Sequence, residues 1–231
     1  MDSKIVIGHL FKEQLNAFGD GGNVDVLKAR LKERKIPVEI IEYAINENID
    51  FDELDLIYIG GGRNREKRLV VDCLRGWSEE LQEYIESGRP LFLTGSSLSM
   101  FGKASINDKE EIPGLGILDI VTVKLEDELE GQVVINSVVD GKEIALIGYQ
   151  NIKETYLHDY DSLVNKGDSK EGLLHKGIIA TSLHGPVLAK NSELADILIK
   201  RALEKKMGNL RLINLNDHIE NKLKKAIKNN V

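Results

Sequence analysis

Cysteine is almost missing from this chain: Cys73 is the only one in 231 residues. A lone thiol makes no internal disulfide and cannot by itself build a zinc site, so a disulfide-stapled or zinc-held scaffold is excluded and a reducing compartment fits. Proline is scarce, at four residues, tryptophan occurs once, and aromatic residues make up 5%. No repeat or low-complexity segment stands out. Long hydrophobic runs are absent too: none approaches membrane-spanning length, and Met1-Asp2-Ser3-Lys4 lacks the apolar region of a signal peptide. The expectation is a cytoplasmic protein without membrane insertion. Basic charge is in deficit, with 31 Lys and Arg against 38 Asp and Glu for a formal net charge of -7, which weighs against a nucleic-acid binder. His9, His158, His175 and His218 show no metal-ligand spacing, and neither a metal nor a cofactor is expected.

What is present suits a globular core: 42% hydrophobic and 30% charged residues, in a chain long enough for one large domain plus a small addition. Lys4 to Leu10 reads as a first buried strand, followed by a glycine-rich turn, Asn16 to Asn23, in which Asp20 or Asn23 would cap a helix over about Val24–Arg34. Pro37–Ile41 and Leu54–Ile59 are further strands. The second of these runs into Gly60-Gly61-Gly62-Arg63-Asn64-Arg65-Glu66 and a helix over about Lys67–Ser87. Three glycines there let backbone N–H groups crowd an anion, although on pattern alone a plain tight β-to-α turn is the better reading.

The chain then changes texture. Val121–Leu125, Gln132–Asn136 and Glu143–Ile147 read as strands separated by turns such as Asp140-Gly141, an antiparallel extension. A polar loop over about His158–Glu171 precedes a strand at Gly177–Leu183, then His184-Gly185-Pro186 and a helix over about Ser192–Lys206. Residues 207–231 form a C-terminal helical tail whose basic stretch, Lys222 to Lys228, reads as a solvated helix face. Partner docking and self-association are both open for it. The overall expectation is α/β: a flavodoxin-like, mostly parallel sheet with helices on both faces over residues 1–206.

The organising stretch is Arg89 to Gly102, a short apolar strand that turns at Thr94-Gly95-Ser96-Ser97 into a helix-like segment. Small residues at such a turn can hold one side chain exposed above a sheet, facing unpaired helix N–H groups. It is the place for a nucleophile.

Five motifs occur in one order: Leu15 to Asn23, Tyr58 to Glu66, the turn at Gly95, Gly148-Tyr149-Gln150-Asn151, and Leu183 to Asn191. With them the chain resembles the cobyric acid synthase-like (CobB/CobQ-like) class I glutamine amidotransferases. Within that group it is similar to the glutaminase subunits of lipid II isoglutaminyl synthases. The resemblance implies a subunit in which an elbow cysteine attacks the glutamine amide, a histidine at position 184 acts as base, and backbone N–H groups of Gly60, Gly61 and Gly62 and of the elbow hold the oxyanion. It implies that ammonia passes to a Mur-ligase-like synthetase subunit that amidates the D-glutamate of a cell-wall precursor, and that glutamine or an analogue is the small-molecule ligand. Arg65, Ser99, Gln150 and Asn151 fall at substrate-binding positions.

The departures fall on the same positions. Gly95 stands where the family has its cysteine, and Ser99 where it has a glutamine. Ile152 replaces a histidine, Lys153-Glu154 replace small residues, and Lys124 and Glu128 stand where arginines are expected. The expectation is a catalytically degenerate amidotransferase subunit. The alternatives are an active amidotransferase subunit, or a serine hydrolase in which Ser96 replaces the thiol and His184 activates it. Cys73, inside a helix, reads as a small packed residue.

Overall fold

A computed structural model describes residues 4–106, 110–166 and 169–228; the first three residues of the signal-peptide reading and the last three of the tail lie outside them. The chain runs through β1 (Ile5–Leu10), α1 (Gly22–Glu33), β2 (Val38–Tyr43), β3 (Leu56–Ile59), α2 (Asn64–Leu74), α3 (Ser78–Glu86), β4 (Leu91–Thr94) and α4 (Leu98–Phe101). It continues through β5 (Ala104–Ile106), β6 (Glu111–Pro113), β7 (Val121–Val139), β8 (Lys142–Leu157), β9 (Val164–Lys166), β10 (Ser169–Glu171), β11 (Leu173–His175) and β12 (Ile178–Thr181). Three helices close it: α5 (Val187–Lys190), α6 (Ser192–Met207) and α7 (His218–Lys228).

The main sheet has six strands in the order β11-β12-β4-β3-β1-β2, parallel throughout except for β11, which runs against β12. Its strands are apolar on both sides because successive side chains enter two different cores. Leu91 and Leu93 point into one, with Val70, Leu74, Leu81 and Tyr84 of α2 and α3. Phe92 points into the other, with Leu27 and Leu31 of α1 and Leu194, Leu198 and Leu203 of α6. Ile57 and Ile59 against Leu56 and Tyr58 repeat the split.

Three expectations need correction. The helix expected over Lys67–Ser87 is two helices separated by a 3-10 turn at Arg75–Trp77; Gly76, a poor helix former, sits at the break. The short strands expected between Val121 and Ile147, together with the segment Gly148–Thr155, are two long strands, β7 and β8, irregular only between Lys124 and Leu129. The turn joining them is Asp140-Gly141, with φ of 52° and 73°, the left-handed pair that a two-residue hairpin demands. The polar loop His158–Glu171 contains the hairpin β9–β10.

The tail lies against α1 and α6. The buried Arg30 guanidinium bonds Asp196 (2.7 and 2.9 Å) and Asp217 (2.7 and 3.1 Å), and Arg34 Nε donates to the Ile213 carbonyl at 2.7 Å.

Candidate active site

β1 is flanked by β2 on one side and β3 on the other, so the strand order reverses there, and such switch points open a crevice at the carboxyl ends of parallel strands. A cleft of about 1060 Å3 lies there. Of its lining, Lys12, Asn16 and Phe18 follow β1, Gly62, Arg63 and Lys67 follow β3, Gly95 and Ser96 follow β4, and Ser182 and His184 follow β12. The β7–β8 ribbon covers one side with Asn151 to Glu154 and Tyr156.

At the centre is the elbow. Gly95 has φ 62°, a left-handed conformation that lets β4 turn at once into the segment leading to α4. A Cβ on Gly95 would lie 2.5 Å from His184 Cε1 and 2.9 Å from Nδ1. The imidazole therefore occupies the space that a side chain at position 95 would enter. His184 Nδ1 is buried and has no hydrogen-bond partner.

Three features hold the ring. The His184 amide donates to the Tyr149 carbonyl at 2.8 Å, which ties the loop after β12 to β8. Phe18 packs against the imidazole with ring centres 4.5 Å apart and planes tilted by 48°; its own φ of 58° is a strained left-handed conformation for an aromatic residue, of the kind that collects at functional sites. The Asp20 carboxylate stands 3.7 Å from Nδ1, beyond hydrogen-bond range. Asp20 is buried and already accepts from the Gly185 amide (2.9 Å) and the Gly61 amide (3.3 Å).

Beneath the elbow, the Tyr58 hydroxyl donates to the Asp20 carbonyl (2.8 Å), shares a 2.8 Å hydrogen bond with Thr94 Oγ1, and accepts from Asn23 Nδ2 (3.0 Å). Burial pushes its phenol far above the ordinary range. Close packing explains the glycine loop: a Cβ on Gly60 would fall 2.2 Å from the Leu15 carbonyl oxygen.

Lys67 and Glu154 line the cleft wall, and Glu171 lies behind Ser182. Lys67 Nζ donates to Ser99 Oγ at 3.0 Å and lies 3.6 Å from Glu154 Oε2; burial lowers its pKa, and Glu154 opposes that shift. Burial raises the Glu171 pKa against the donors that hold the carboxylate: Thr181 Oγ1 (2.6 Å), the Ser182 amide (3.0 Å) and the Ser182 hydroxyl.

Of the residues expected at the site, Gly62, Gly95, Ser96, Asn151 and His184 line the cleft. Gly60, Gly61, Arg65, Ser99 and Gln150 do not. Gly60 and Gly61 pack beneath it, and Ser99 is buried with its hydroxyl donating to the Ser96 carbonyl at 2.8 Å. Ser96 Oγ donates to the Gly62 carbonyl at 2.8 Å rather than to His184. Cys73 packs against the first core. Asp20, weighed from sequence only as a helix cap, was missed as the neighbour of His184, as were Phe18, Lys67 and Tyr156. For Asp20 the usable signal was an acidic residue in a glycine turn after the first parallel strand. Among the described residues no group of three or more His, Cys, Asp or Glu is placed to hold a metal, and no helix is long and apolar enough to cross a membrane.

A parallel sheet with its cleft at a strand-to-helix elbow, faced by a histidine from the loop after the last parallel strand, is the architecture of a glutamine amidotransferase domain. The CobB/CobQ-like glutamine amidotransferase domain matches residues 6–192, and the chain belongs to that family. It is 36% identical over 212 residues to the lipid II isoglutaminyl synthase (glutamine-hydrolyzing) subunit GatD of Staphylococcus aureus strain N315, covering 88% of this chain and 86% of the relative. The subunit of the same name from Streptococcus pneumoniae strain R6 is 25% identical over 214 residues, covering 87% and 82%. Among solved structures, a glutamine amidotransferase superposes with a TM-score of 0.57 at 18% identity, covering 84% of this chain and 98% of that one, a likeness of fold.

Proposed function

We propose that this chain is a glutaminase-type subunit related to cell-wall precursor amidation whose own glutamine hydrolysis is lost, because Gly95 occupies the position of the nucleophile. The observation that carries this is the unpartnered His184 Nδ1, buried against the Cα of a left-handed glycine at the elbow. In the reaction implied by the resemblance, a thiolate attacks the glutamine amide, ammonia leaves, and water hydrolyses the γ-glutamyl thioester. His184 is placed to take the thiol proton and return it to the leaving amine. Without a side chain at position 95 no thioester forms, and the acid–base group is left with nothing to activate.

The serine alternative lacks support: the Ser96 hydroxyl donates to the Gly62 carbonyl rather than to His184. What remains is a docking role in the cytoplasm beside a Mur-ligase-like synthetase subunit, with a cleft wide enough for glutamine or an analogue. Residues 1–206 carry the amidotransferase fold and 207–231 the tail. Ammonia release from glutamine, measured with the purified chain alone and with a Mur-ligase-like subunit from the same genome, tests this. Neither mixture is expected to release ammonia above the buffer rate. Release abolished by Ser96→Ala would transfer the chemistry to the serine.

A further inference from the structure

The tail presents a surface that the cleft does not use. Helix α7 is fastened to the body through Lys224, which is buried and whose Nζ bonds Glu193 Oε2 at 2.7 Å. The segment before it is pinned by Arg30 and Arg34 through Asp217 and Ile213. With that side fixed, Ile219 and Leu223, one helical turn apart and hence on one face, stand 78% and 47% exposed. In the segment leading to the helix Ile213 is 69% exposed. Lys222 flanks the apolar pair, and Lys225 and Lys228 lie on the polar side of the helix; all three are exposed and none has a carboxylate partner among the described residues. Residues 207–231 hold five Lys and Arg against two Asp and Glu, in a chain whose formal net charge is -7.

We propose that α7 is a peripheral docking helix for an anionic lipid surface, its Ile219–Leu223 face entering the headgroup boundary and its lysines pairing with lipid phosphates. An apolar face backed by a lysine-rich polar side is the pattern of an interfacial helix. The clustered positive charge on an otherwise acidic chain is complementary to an anionic bilayer. A lipid surface requires only a few inserted apolar groups and nearby cations. The proposal does not rest on the reading of Gly95.

The test is flotation of the full-length chain with vesicles of phosphatidylglycerol and phosphatidylcholine in equal amounts, and with phosphatidylcholine alone. Binding is expected to the anionic vesicles, with loss at about 1 M salt, where charges are screened beyond roughly 3 Å. Ile219→Ser with Leu223→Ser, and separately Lys222→Glu with Lys225→Glu, are each expected to lower partitioning by about tenfold or more. Circular dichroism with thermal melting checks that the fold is kept. The proposal is overturned if folded wild-type chain stays with the buffer in the presence of anionic vesicles. It is also overturned if either variant pair floats as wild type does, or if Ile219→Ser with Leu223→Ser instead abolishes a concentration-dependent dimer of a chain that does not bind vesicles.

Discussion

The imidazole of His184 stands over the Cα of Gly95, so close that a Cβ there would lie 2.5 Å from Cε1 and 2.9 Å from Nδ1. Reinstalling a side chain requires the ring to turn aside, and the ring is the mobile end of its residue. In Gly95→Cys, made in a Cys73→Ser background, the new thiol meets a nitrogen that otherwise has no partner. Its pKa is expected to fall below the ordinary value of about 8.5. Iodoacetamide alkylation followed across pH reads this directly. A thiol titrating as free cysteine would mean that His184 does not reach it.

Ser96→Ala removes one hydrogen bond, to the Gly62 carbonyl, and no nucleophile. A fluorophosphonate probe is expected to leave wild type unlabelled and the variant indistinguishable from it. A loss of stability of about 1 kcal/mol is expected in denaturant unfolding. Labelling at Ser96 would restore the serine hydrolase reading.

His9, buried beside Tyr58 at a ring separation of 5.2 Å, has its pKa pushed down to about 4 by burial, with Lys12 adding to that shift and Glu42 and Asp25 opposing it. Because the folded chain resists protonation and the unfolded chain does not, this contribution to stability is complete above pH 6.5. It falls as pH drops and is gone below about pH 4, a loss of up to roughly 3 kcal/mol. Urea unfolding at stepped pH should show this slope in wild type and a flatter profile in His9→Leu. An equal slope in both would assign it to other groups.

Asn191 ties the ribbon to the core: its Oδ1 accepts from the Ile147 amide (2.8 Å) and its Nδ2 donates to the Ile147 and Val187 carbonyls (2.7 Å each). Asn191→Ala strands these buried groups at about 3 kcal/mol, a fall in Tm of roughly 6–12 °C for a chain of this size. Calorimetry measures it. A change below the scatter of replicate scans would show that water replaces the side chain.

The parallel sheet was legible because continuous apolar runs such as Leu91-Phe92-Leu93 have one use in a sheet covered on both faces. The Asp140-Gly141 turn was legible because few residue pairs accept two left-handed conformations. The length of β7 was not, since much of it is exposed on both sides and Glu126 to Glu130 carry no alternation. At the site, Gly95 and His184 were placed by motif order. Asp20, Phe18 and Lys67 were not, because they reach His184 or the cleft through the meeting of loops from different strands, a tertiary fact with no local pattern. Arg65 and Gln150 show the converse: motif position put them at the site, and the backbone directs them away from the cleft.

The most direct measurement is ammonia release from glutamine by Gly95→Cys beside wild type, each with Cys73→Ser and with His184→Ala as a further control. The account predicts a silent wild type and a slow release by Gly95→Cys that His184→Ala abolishes. Release by the wild type, no release by Gly95→Cys, or release by Gly95→Cys that persists in His184→Ala would contradict it.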